Sequence, residues 1–172
     1  MVTKAAQHTT QDLLGVYLND HLAGSTLGMS LARRMAASAE AGSERATALS
    51  ELASEITQDR SALLRIMTAL GIQVRGYKVF AAWAGEKAGR LKLNGHLLTR
   101  SPLSDLEETE FLRAAVEGKG ACWRTLRELS ERDGRLDAQL LDDLIARADR
   151  QASALESLRS AAAVRTLAAA TR

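Results

Sequence analysis

Leu49, Leu52, Ile56, Leu63, Ile66 and Leu70 follow one another at intervals of three, four and seven residues. Such spacing lines one face of an α-helix and no single face of a strand. The pattern recurs in three further stretches, carried by Leu14, Tyr17, Leu31 and Met35, by Leu112, Ala115, Cys122, Leu126 and Leu129, and by Leu141, Leu144, Ala148, Leu155, Leu158 and Ala162. A helix with one apolar face must bury it, and four such helices sharing a core predict an all-α bundle. Composition points the same way. Aromatics make up 3% of the chain and there is one proline, while alanine and leucine abound, which favours helix over strand.

Cap and turn residues divide the 172 residues into five expected helices. Thr9 or Thr10 can cap the first, over about 10–41, with Gly42 ending it. Ser43 caps the second, over 44–70, with Glu44 in its first turn and Gly71 beyond its end. The stretch "RGYKVFAAWAGEKAGRLKLNG" predicts a shorter third helix over about 76–94. Ser101 followed by Pro102 and a run of acids marks the start of a fourth, over 102–131. Gly134 sits in a tight turn before a fifth, over 136–168. No internal repeat or low-complexity linker breaks the chain, so residues 1–172 are expected to form a single domain.

Bulk properties exclude several classes. The formal charge is +2 with both signs mixed along the chain, and no Lys/Arg run could track phosphates, so nucleic acid is not an expected partner. Cys122 is the single cysteine, which rules out an internal disulfide framework and fits a reducing compartment. No apolar run has the length of a membrane span, and "MVTKAAQHTTQD" lacks the apolar core of a signal peptide. A cytoplasmic protein is the expectation. Phosphate loops, dinucleotide fingerprints, zinc spacings and catalytic-triad patterns are all missing from the sequence.

Connection lengths constrain the topology. Tight turns join the first helix to the second and the fourth to the fifth, so each pair should be an antiparallel hairpin. About thirty residues separate the second helix from the fourth, well beyond a simple helix-helix loop. A helix of about 27 residues spans roughly 40 Å, a distance the intervening segment can cover, leaving the second and fourth helices parallel. Two hairpins joined by one long crossover resemble the architecture of the ferritin-like superfamily. The resemblance is one of architecture. Di-iron members of that superfamily carry Glu-x-x-His pairs, and this chain has none; His8 and His96 lie outside the long helices, leaving only His21 within one. The resemblance therefore implies a fold and no storage or oxidation chemistry, with no cofactor expected.

Each long helix instead places one polar residue on its apolar stripe: His21 on the first, Asp59 on the second, Lys119 on the fourth and Gln151 on the fifth. Their heights agree. His21 lies 21 residues before Gly42 and Asp59 lies 17 after it, while Lys119 and Gln151 lie 15 and 17 residues from Gly134. In the crossover topology all four meet near mid-bundle. A buried ammonium alone would cost several kcal/mol or lose its proton, but beside Asp59 it can stay charged. The expectation is a buried polar layer, His21, Asp59, Lys119 and Gln151, in which the Lys119 ammonium substitutes for metal charge and Gly118 and Gly120 allow close helix approach.

A structural or interaction role without catalysis, with self-association into a homo-oligomer, is the leading functional expectation. The alternative is a divergent di-metal carboxylate protein or oxidoreductase using Asp20, His21, Glu55, Asp59 and Glu86, with Glu51 and Glu108 as further acids near the stripes. A third is an adaptor that presents Phe80, Trp83, Lys87, Arg90 and Lys92 on the third helix. Cys122, on the apolar stripe, is expected to be an inert buried thiol.

Overall fold

The computed structural model describes residues 9–75 and 103–168, which form four helices: α1 (Thr10–Ser38), α2 (Glu44–Ala69), α3 (Ser104–Ser130) and α4 (Ala138–Leu167). Among the described residues there is no strand, and no helix is long and apolar enough to cross a membrane. The expected helix over 76–94, with its aromatic and basic patch, lies outside the described residues.

Local chemistry sets the helix ends. Thr9 caps α1 in a reciprocal box: its hydroxyl accepts from the Asp12 N–H at 3.2 Å while Asp12 Oδ2 accepts from the Thr9 N–H at 3.1 Å. The helix stops at Ser38, short of the expected 41, because Ala39 turns extended and the chain then folds back through Gly42 at φ 78°. Only glycine takes that left-handed conformation without strain. Ser43 Oγ accepts from Ala46 N–H to start α2, and Asp137 does the same for α4 through Leu140 N–H, each at 3.1 Å. The Asp137 cap moves the start of α4 two residues beyond the expected 136, leaving Leu136 buried under the turn. α3 begins at Ser104 behind Leu103, with no side-chain cap bond, and the expected Ser101–Pro102 start lies outside the described residues.

Contacts between helices give their directions. Arg33 reaches Thr57 while Gln11 reaches Leu70, so α1 and α2 are antiparallel. Arg113 pairs with Glu156 and Arg127 with Asp142, so α3 and α4 are antiparallel too. Arg34–Glu108 and Tyr17–Thr125 make α1 antiparallel to α3. Across the bundle, Arg45 pairs with Asp105 and Asp59 with Lys119, which sets α2 and α3 parallel on a diagonal.

The core comes in two parts. One holds Leu18, Leu22, Leu63, Met67, Trp123, Leu126 and Leu144, and the other Leu31, Met35, Leu49, Leu52, Leu112 and Leu155. On three helices the boundary is a little under two turns wide and holds a polar residue: Asp59 between Ile56 and Ala62, Lys119 between Val116 and Cys122, and Gln151 between Ala148 and Leu155. On α1 it runs from Leu22 to Leu31 and includes Gly24 and Gly28.

Candidate functional site

At this waist Asp59 is 1% exposed and is the centre of an ion cluster. The Lys119 Nζ donates to Asp59 Oδ2 and to Gln151 Oε1. The Arg147 Nε donates to the other carboxylate oxygen, Asp59 Oδ1, at 2.7 Å. Gln151, also 1% exposed, turns its amide back, donating to Asp59 Oδ2 at 3.2 Å and to Glu55 Oε2 at 2.8 Å. Two acids, two bases and one amide thus close a neutral network across α2, α3 and α4. Neutrality matters, because an unpaired buried charge costs several kcal/mol, whereas pairing and hydrogen bonds offset much of that desolvation cost. Burial pulls the Lys119 ammonium below the ordinary lysine range, opposed by the attraction and hydrogen bond of Asp59.

Period and height place Asp59, Lys119 and Gln151 here from the sequence, and the structure joins them. Arg147 and Glu55 complete the network without having been expected in it. Each lies one helical turn N-terminal to a member, Arg147 before Gln151 and Glu55 before Asp59, and that i, i+4 spacing is the signal that could have found them. His21 is placed differently. It is half-buried and makes no hydrogen bond to the network; its ring stands edge-on to Tyr17, with centroids 4.5 Å apart. Burial pulls its pKa below the ordinary 6.5, with Asp20 pulling the other way.

His21 instead lines a cavity of about 120 Å³ on the α1 side of the network, with Lys119 and Asp59 on its opposite wall. Missing side chains open it. A Cβ at Gly24 or Gly118 would meet nothing within 4 Å, and one at Gly28 would meet only Leu112 Cδ1, at 3.9 Å. Gly118 therefore contributes space, contrary to the expected close approach, whereas Gly120 does sit tightly, 3.5 Å from Ala148 Cβ on that measure. Trp123 is also among the lining residues, 1% exposed, and among the described residues its indole Nε1–H is buried with no hydrogen-bond partner. Cys122 is buried, and desolvation pushes its thiol up to about 12 against a hydrogen bond from Tyr17, so it carries almost no thiolate at neutral pH.

Among the described residues the donors are not gathered as a di-metal centre needs. Asp59 already holds two cations, and among the described residues no three His, Cys, Asp or Glu side chains gather where they could hold an ion. Asp20 is exposed at the cavity wall, Glu108 pairs with Arg34 at 3.2 Å, Glu51 is exposed, and Glu86 lies outside the described residues. Fold and site together define an all-α four-helix bundle with a charged waist. No protein-family model, no curated protein and no solved structure matches the chain.

Proposed function

We propose that the chain is a ferritin-like four-helix bundle with a non-catalytic structural or interaction role, in which the Lys119 ammonium and Arg147 guanidinium stand where relatives of that architecture hold metal ions. Saturation of the Asp59 carboxylate carries this reading: its two oxygens take hydrogen bonds from Lys119, Arg147 and Gln151, leaving little of it for an ion. The parallel diagonal pairing of α2 and α3 supports the architecture, which sets its second and third long helices parallel. A buried, closed network specifies which helix faces meet and at what height, and that is a structural task. The free, buried Cys122 is compatible with the cytoplasmic location that belongs to the same proposal.

Elemental analysis of the purified full chain tests it. Iron, manganese and zinc should stay well below stoichiometric, including after incubation with each metal and desalting. A retained equivalent of any of them, lost on Asp59→Leu, would replace this role with metal chemistry.

A further inference from the structure

Large apolar side chains remain in solvent on α1 and α3: Leu13, Val16, Phe111 and Leu129 are each at least 36% exposed. Exposed apolar side chains gathered on one face mark an interaction surface. Helical rotation sets Phe111 on one line with Ala114, Gly118 and Ala121, and Ala114 and Ala121 are exposed like it. On α1, Asp20 and Gly24 stand one turn apart on the neighbouring line, with Asp20 exposed. The cavity of about 120 Å³ opens towards this face between Gly24 and Gly118. Asp20 lines it while standing in solvent, and a Cβ at either glycine meets nothing within 4 Å. One face therefore carries an aromatic knob and, about two turns along α3, an unfilled hole.

A knob and a hole on one face are self-complementary when a two-fold axis lies midway between them. Tyr17–Thr125 and Arg34–Glu108 fix the register of α1 against α3, and both contacts place Leu27 level with Ala115. Ala115 lies four residues after Phe111 and three before Gly118. An axis crossing both helices at that level lays α1 antiparallel on α1 of a second copy, and α3 on α3. It brings Phe111 to the height of Gly118 within one residue, about 1.5 Å. The same axis sets Asp20 opposite Arg34, since each lies seven residues from Leu27. Asp20 is exposed, and the Arg34 side chain is 63% exposed even where it meets Glu108, so two opposite charges face one another twice. With α1 set on α3 instead, Asp20 would face the level of Cys122, which is buried and uncharged.

We propose that this face is the interface of a two-fold dimer of the chain. The Phe111 ring of each copy enters the cavity mouth between Gly24 and Gly118 of the other, and Asp20 pairs with the partner's Arg34. The cavity approaches the ~150 Å³ that holds benzene, and a phenyl ring is benzene on a tether. Ile56, Leu63, Leu112 and Val116 give it apolar wall to pack against. The dimer rests on the interaction role proposed above and names its partner, a second copy.

Sedimentation equilibrium of the full chain tests it. The mass should rise with concentration from 18.5 kDa towards twice that value. Phe111→Asp should raise the dimer dissociation constant about tenfold or more at unchanged helix content, because an aromatic anchor is lost. Phe111→Ala serves if aspartate disturbs the fold. Gly118→Leu, which closes the hole and leaves the knob, should weaken the dimer likewise. Asp20→Arg should weaken it too, and Asp20→Arg combined with Arg34→Asp should restore it, because the reversed pair is again opposite in sign. A monomer at every concentration would overturn the proposal and leave the face to another occupant, residues 76–102 of this chain or a different protein. A dimer indifferent to Phe111→Asp, or one that the reversed pair fails to restore, would overturn it as well. Metal content is read separately, so a metal-free monomer sinks the interface alone, whereas a metal-bearing dimer sinks only the non-catalytic role.

Discussion

The waist of the bundle has two halves built on opposite plans. Around α4, Asp59, Lys119, Arg147, Gln151 and Glu55 fill the cross-section with long polar side chains locked to one another. Around α1, three glycines empty it. The first half resists change because each of its groups is hydrogen-bonded to another member, with Lys119 and Arg147 sharing the Asp59 carboxylate. The second is soft, because nothing nearby depends on what occupies it. Between them stands Lys119, bonded to the cluster on one side and lining the cavity on the other.

The contrast predicts a steep ranking of substitutions. Asp59→Leu removes the one carboxylate shared by Lys119 and Arg147 and should lose about 3–5 kcal/mol of unfolding free energy, measured by denaturant titration. Lys119→Met should lose less, about 2 kcal/mol, because Arg147 still neutralises Asp59 through its 2.7 Å hydrogen bond. The double variant should be much more stable than the sum of the two losses implies, with a coupling of about 1–3 kcal/mol. Simple additivity would show that the lysine and the aspartate do not interact, and the two-plan description of the waist would fail with it.

Much of this architecture is legible in the sequence. A 3.6-residue period reports where each Cα–Cβ bond points, so it places Asp59, Lys119 and Gln151 on the stripes. It says nothing of how a long side chain bends afterwards. Arg147 starts at the stripe edge and bends inward to Asp59, while His21 starts near the stripe centre and settles against Tyr17. Glycine is ambiguous for a related reason. With no side chain, it marks either a close approach, as at Gly120, or a void, as at Gly118, and only the neighbours' positions decide which. The first helix ends at Ser38, short of the expected 41, although alanines at 39 and 41 are good helix formers: the backbone turns extended at Ala39 ahead of the Gly42 turn.

The soft half gives smaller effects of opposite sign. Gly24 lies inside α1, where glycine costs about 1 kcal/mol relative to alanine, and an added Cβ meets nothing within 4 Å. Gly24→Ala should therefore stabilise the fold by up to about 1 kcal/mol, visible as a raised Tm at unchanged helix content. A loss of stability would mean that this side of the waist is packed, and the contrast with the cluster would disappear.

The smallest expected effect is a pH dependence from His21. Its folded pKa lies below 6.5 because burial disfavours the imidazolium more strongly than Asp20 favours it. The unfolded chain then binds the proton more readily, so the stability that neutral His21 contributes is complete above 6.5 and is lost as pH falls from there through the folded pKa. Carboxylates elsewhere also destabilise the fold on acidification, so the quantity to follow is the difference between the wild type and His21→Asn. That difference should change between neutral pH and moderately acidic pH in the sense that the wild type loses more, and it should be flat above neutrality. A wild type that instead gained on acidification, relative to the variant, would mean that a carboxylate holds the imidazolium. That would make the α1 side of the waist an extension of the ion cluster instead of its counterpart.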